Sequence, residues 1–169
     1  MVESQWPPID GWTPPGATER KAILDRTDSI AIVGASSDPA RASNFVATYL
    51  LSSSAEYRVF MVNPRAGADR ILGEPVYAAL DDLPETPDLV NVFRRSEDLP
   101  GTAEDAVAVG ARTYWAQLGL WSEQAARIAL DAGLEVVMDR CVKIEHARFA
   151  GGLHLAGFDT GQISSRRRA

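Results

Sequence analysis

Short turns rich in glycine and serine, and arginine side chains, are the groups that hold phosphate, and this sequence sets several of them directly after apolar runs. The run at 30–34 (IAIVG) opens into Gly34-Ala35-Ser36-Ser37, with Asp38-Pro39 and Arg41 close behind. The run at 58–62 leads into Asn63-Pro64-Arg65, and the run at 89–93, ending on Phe93, into Arg94-Arg95-Ser96. Two further runs, 113–116 and 134–138, lead into Gln117-Leu118-Gly119 and Asp139-Arg140-Cys141. A glycine after a strand lets the backbone approach a phosphate closely, and the N–H groups of a following helix start face the anion. A guanidinium across a crevice adds two parallel donors.

The ligand such residues suit is narrowed by what is missing. G-x-G-x-x-G does not occur, and no carboxylate follows the second run to bond a free ribose diol, so NAD is disfavoured. Arg65 stands there instead and suits a phosphorylated ribose, which leaves NADP and a 3′-phosphoadenosine ligand such as coenzyme A both open.

Catalytic groupings are thin. The two histidines, His146 and His154, lack metal-ligand spacing, and there is no G-x-S-x-G nucleophile turn. Cys141 lies within reach of a thiol ligand, but a lone cysteine is more often a small buried hydrophobe. No catalytic or metal site is expected.

The elements that position these residues follow from the apolar pattern. Continuous runs of four or five residues read as strands buried on both faces, the habit of parallel sheets, and a weaker strand lies near 75–77. Helical stretches fall at 18–26, 43–54, 99–110 and 122–132, with Phe45, Val46, Tyr49 and Leu50 expected on one buried face and Gly110 and Gly133 at C-terminal caps. Alternation at this pace predicts an α/β fold: a three-layer, Rossmann-like, doubly wound, mostly parallel sheet. With strand order 3-2-1-4-5-6, the first and fourth strands flank the switch point, and Ser36 and Ser37 face Arg94 or Arg95 across it. Neighbours on an extended segment alternate, so one of the two arginines is expected outside.

Residues 1–19 form an arm holding four of the ten prolines, with Trp6 and Trp12 placed to pin it to the body. Tyr114, Trp115 and Trp121 are expected to fill core or interface. Residues 20–145 form the domain, and 146–169, containing GGLHLAGFDTG, read as a glycine-rich arm without either periodicity.

At 169 residues, one domain is expected. No run is long and apolar enough for a membrane span, and the start MVESQWPPIDGWTPPG is not a secretory signal. A single cysteine fits a reducing, cytoplasmic setting. A net charge of −6 argues against nucleic-acid binding, and Arg166 to Arg168 read as a solvated end.

The ordered series VGASSDPARASNFVATYLL, VNP, ILGEPVY, DLVNVFRR, WAQLGL and AGLEVVMDRC resembles the CoA-binding domain family over roughly residues 20 to 150. These are small cytosolic Rossmann-like proteins similar to the CoA-binding part of the succinyl-CoA synthetase α subunit. The resemblance implies a stand-alone domain that binds coenzyme A or an acyl-CoA. The turn Gly34, Ala35, Ser36, Ser37 with Arg41 would face phosphates, and Asn63 and Pro64 the adenosine. Phe93, Arg94, Gln117, Leu118 and Gly119 would line the rest of the groove. Ligase chemistry does not carry over, because the chain is too short for the further domain that holds the synthetase's phosphorylated histidine. Two other readings stay open: an NADP-dependent oxidoreductase on the same fold, and an interaction module with a vestigial crevice. Either arm would cover the groove or dress the interface of a homodimer.

Overall fold

Ser29–Val33 is buried at every position and forms β1, the centre of a sheet flanked by helices on both faces. The computed structural model describes residues 4–52 and 56–150. The predicted helix end at 53–54, His154, the glycine-rich stretch and Arg166 to Arg168 lie outside the described residues.

β1 pairs in parallel with β2 (Arg58–Val62) on one side and β5 (Leu89–Val92) on the other. Beyond β2 lie β4 (Glu74–Tyr77) and β3 (Arg70–Ile71); beyond β5 lie β6 (Thr113–Ala116) and β7 (Glu135–Val137). The order is β3-β4-β2-β1-β5-β6-β7, and only β3 is antiparallel. Counting the parallel strands alone, this is the expected 3-2-1-4-5-6. The extra strand β3 joins β4 through Leu72-Gly73, both at positive φ, a tight hairpin turn without the usual Asn-Gly signal.

The helices are α1 (Ala17–Asp25), α2 (Ala42–Ser52), α3 (Leu99–Val109), α4 (Glu123–Asp131) and α5 (Val142–Ala150). Because side chains alternate along a strand, Ala31 and Val33 join the core beneath α3 and α4. Ile30 and Ile32 join the core shared with α1, α2 and α5. Gly110 caps α3, and Gly133 follows the end of α4.

Two expectations are corrected. The buried face of α2 is Ser43, Asn44, Val46, Ala47 and Leu50, the i, i+3, i+4, i+7 stripe, and Phe45 is turned out to 59% exposure. Residues 145–150 are helical, not a loop: α5 buries Val142, Glu145, His146 and Phe149 at the same spacing. Two of those four are ionisable, so the stripe is invisible to an apolar pattern. Glu145 is buried because Arg20 Nε donates to it at 2.7 Å, which also staples α1 to α5.

The arm docks through aromatic rings. Trp6 lies parallel to Trp121 with centroids 5.8 Å apart, Trp12 tilts against the same ring, and Ile9 is buried in the α3/α4 core. Trp115 is fully buried and donates Nε1–H to the Arg140 carbonyl. Tyr114 is equally buried, bonded to Thr102 and to the Leu99 carbonyl, and burial pushes its phenol well above the ordinary value.

Candidate functional site

The carboxyl ends of β1, β5 and β6 open onto a cavity of about 510 Å³ between the turn after β1 and the start of α2. Gly34, Ser36, Arg41, Asn63, Phe93, Arg94, Gln117 and Leu118 line it, joined by Ala42, Ser43 and Leu120. This is where the topology reverses, the position at which α/β sheets bind ligands.

Gly34 has φ +88°, and its N–H donates to the Val62 carbonyl at 2.8 Å. A Cβ there would stand 2.2 Å from the Phe93 carbonyl oxygen. The close approach that requires glycine is therefore to the end of β5, whereas the sequence suggested approach to a phosphate. The requirement comes from the fold itself.

Two asparagines shape the turn. Asn63 Nδ2 donates to the Ala35 carbonyl at 2.8 Å, and Asn44 Nδ2 to the Ser36 carbonyl at 2.9 Å. In a trans peptide the next N–H points opposite to the carbonyl, so the N–H groups of Ser36 and Ser37 face away from these amides. Asp38 closes the turn, its N–H donating to Ser36 Oγ at 3.1 Å and its Oδ1 accepting from Ala40 N–H at 2.9 Å. Among the described residues no protein acceptor takes the N–H of Ser36, Ser37, Ala42 or Ser43. The last two open α2, where a helix leaves its first donors unpaired. Ser36, Ala42 and Ser43 line the cavity, so unpaired donors of the kind that bind anions lie at its wall.

Arg94 is half-buried and forms part of the cavity wall, while Arg95 points outward and pairs with Glu97 and Asp98. The expected alternation holds at this pair. Arg41 is exposed at the rim, 3.9 Å from Asp38. Arg94 also borders a smaller cavity of about 120 Å³ with Val62, Pro64, Leu80, Thr102 and Asp105. Partial burial, then the charges of Asp81 and Glu104, raise the Asp105 carboxyl above its ordinary value.

The remaining sequence candidates fall outside the main cavity. Ala35 is packed in the core under the turn, Ser37 is exposed, and Pro64 borders the smaller cavity. Arg65 is exposed just beyond Pro64, its N–H held by Asn63 Oδ1 at 2.9 Å, and it takes part in none of the described ion pairs. Gly119 is exposed, with its N–H bonded to Asp139 Oδ1 at 2.7 Å. Cys141 is half-buried against the α1/α2/α5 core and does not line the cavity.

Sequence reasoning missed two residues and the role of a third. Asn44 was detectable as a polar residue on the apolar stripe of α2. Asn91, inside the run of β5, is fully buried, with Nδ2 donating to the Trp115 carbonyl and to Gln117 Oε1. Asp139 was marked only by its place after the last run, and its role was not legible because its partners, residues 5, 6, 119 and 120, meet only in the folded chain. Among the described residues no group of His, Cys, Asp or Glu is arranged to hold a metal ion, and no helix is long and apolar enough to cross a membrane.

A model of the CoA-binding domain matches residues 28–147. An uncharacterised protein of Bacillus subtilis (strain 168), YneT, is 41% identical over 133 residues, which cover 79% of this chain and 96% of that one. The solved structure of a hypothetical protein from Pyrococcus horikoshii OT3 superposes with a TM-score of 0.75 at 34% identity, over 88% of this chain and 99% of that one. The apo form of a dinucleotide-forming acetyl-coenzyme A synthetase from Ca. Korarchaeum cryptofilum matches at 25% identity and a TM-score of 0.58, over 66% of this chain and 26% of that one. With a Rossmann-like sheet, a cavity at its switch point and a family match spanning β1 through most of α5, this chain belongs to the CoA-binding domain family.

Proposed function

We propose that the chain binds coenzyme A or an acyl-CoA at the carboxyl ends of its parallel strands, in a cytoplasmic setting and without chemistry of its own. The observation that carries this reading is the set of unclaimed N–H groups at Ser36, Ala42 and Ser43, residues that line the cavity together with Arg94, with the unclaimed N–H of exposed Ser37 beside them. It suits a diphosphate, with Arg41 at the rim. Adenosine would lie toward β2, where Val62, Pro64 and Leu80 give an apolar wall and Thr102 and Asp105 polar partners. Exposed Arg65 would meet the ribose 3′-phosphate. The pantetheine would then run the other way, over Phe93, Gln117, Leu118 and Leu120. Leu118, 58% exposed at that end, offers apolar surface to a chain lying across it.

The test is a thermal-shift and calorimetric series with CoA, acetyl-CoA, dephospho-CoA, NADP and NAD at matched concentrations. Losing a charge-assisted contact costs roughly 1.5–3 kcal/mol, so dephospho-CoA should bind about tenfold or more weakly than CoA, and NAD weakest. Cys141→Ala should leave CoA affinity within a few-fold. Equal affinity for CoA and dephospho-CoA removes Arg65 from the site. A shift with NADP and none with CoA overturns the reading in favour of an oxidoreductase.

A further inference from the structure

Asp139 follows β7 with φ +56°, a backbone conformation that costs a residue with a Cβ and that glycine adopts freely. Its side chain is fully engaged with two segments distant in sequence. Oδ1 accepts the Gly119 N–H at 2.7 Å; Oδ2 accepts Trp6 Nε1–H at 2.9 Å and, more weakly, Gln5 Nε2–H at 3.5 Å. Its own N–H donates to the Leu120 carbonyl at 3.1 Å. The turn 117–120 is thus gripped on both sides of Gly119, and it is closed internally by Leu120 N–H on the Gln117 carbonyl. Gln117, Leu118 and Leu120 are cavity wall. Trp121, the next residue, is stacked by the Trp6 ring at an interplanar angle of 2°.

We infer that Asp139 is a positioning residue of the ligand site, and that the N-terminal arm completes the site by clamping the 117–121 turn through Trp6. This rests on the CoA reading. It goes beyond it because Gln5 and Trp6 lie outside the residues that the family model matches, which begin at residue 28. A turn held by three separate hydrogen bonds and a stacked ring presents Gln117, Leu118 and Leu120 already in place, and affinity rises when ordering is complete before the ligand arrives. The coupling is reciprocal: ligand on the turn tightens the arm, and a docked arm tightens the ligand.

The experiment compares wild type with Asp139→Gly and Trp6→Phe. Asp139→Gly removes both carboxylate contacts at a φ that glycine favours, and Trp6→Phe removes one donor while keeping a ring to stack. Each protein is titrated calorimetrically with CoA and with adenosine 3′,5′-bisphosphate, which ends before the pantetheine and does not reach the turn. Asp139→Gly should weaken CoA about tenfold and Trp6→Phe a few-fold, with the bisphosphate within about twofold of wild type in both. Unchanged CoA affinity in Trp6→Phe refutes the role of the arm. Parallel loss of both ligands shows a general structural role and overturns the inference, as does unchanged CoA affinity in Asp139→Gly. If Asp139→Gly does not fold, Trp6→Phe decides. Failure of wild type to bind CoA is a different result: it removes the underlying reading before any variant is compared.

Discussion

Replacing Gly34 by alanine adds one methyl group, and its cost follows from two structural features. The first is φ +88°, where an L-residue pays about 1–2 kcal/mol relative to glycine. The second is the 2.2 Å approach of the new Cβ to the Phe93 carbonyl oxygen, with the carbonyl carbon at 3.0 Å. Those are backbone atoms, and Phe93 N–H is itself bonded to the Val33 carbonyl at 2.8 Å, so β5 cannot yield without opening the β1–β5 pairing. Overpacking of this kind costs roughly 1–3 kcal/mol. The total is about 2–5 kcal/mol, a large part of the stability of about 5–15 kcal/mol typical of a native protein. At about 2–4 °C per kcal/mol for a chain of this size, the midpoint should fall by roughly 4–20 °C. Urea unfolding of wild type and Gly34→Ala without ligand measures it. A difference below about 0.5 kcal/mol, the size of an ordinary surface substitution, would refute the steric reasoning and return the glycine to a purely ligand-facing role.

Glu145→Ala should destabilise by about 3–5 kcal/mol in the same assay, since it strands the Arg20 guanidinium, 4% exposed, with only the Pro15 carbonyl. The Arg140 guanidinium close by is already lowered by burial and by Arg20, so a further uncompensated cation is poorly tolerated, and a loss below about 1 kcal/mol would contradict this. Acidification should destabilise the protein through His146, whose ring is bonded to Tyr49 Oη, packed edgewise by Tyr57, and lowered by burial against a smaller opposing pull from Asp25. The folded ring resists a proton that the unfolded chain accepts near pH 6.5, so its stabilisation is present above that pH and is lost as pH falls toward the folded value. Unfolding free energies at successive pH values should show a contribution of at most about 1.4 kcal/mol per pH unit. His146→Gln should flatten that part of the curve, and an unchanged slope would assign it to other groups.

The parallel strands and their order were legible because β1, β2, β5 and β6 are written as largely apolar runs, with polar residues close behind the carboxyl end of each. The same regularity located the cavity: Gly34, Ser36, Arg41, Asn63, Phe93, Arg94 and Gln117 all came from the positions after strands. What stayed hidden depends on pairs of residues far apart in the chain. Glu145 and His146 are polar in sequence and become interior only through Arg20 and Tyr49, so α5 carried no apolar stripe to read. Phe45 was placed on one face with Val46, Tyr49 and Leu50 by its spacing, whereas in the fold its ring lies under the Lys143 ammonium at 3.5 Å, in contact with solvent. Asn44 and Asn63 were split the same way. Asn63 was marked by its place after β2, whereas Asn44 was marked only by its polarity on an apolar stripe, its partner, the Ser36 carbonyl, lying eight residues back.

The two outer strands of the sheet carry a consequence for how copies of this chain behave in a crowded solution. An open sheet ends in unpaired N–H and C=O groups that can template another strand. Here one border is β3, two residues long and backed by Pro75 in β4, and the other is β7, three residues beginning at Glu135, whose carboxylate pairs with Arg26. A foreign strand would gain only a few backbone hydrogen bonds at either border and would meet a charged residue at each, Arg70 or Glu135. The interior strands, which as isolated peptides would be the most prone to self-association, are enclosed between borders too short to nucleate growth. The sheet is self-terminating, so a β-rich core can be kept at high concentration without inviting polymerisation through its edges.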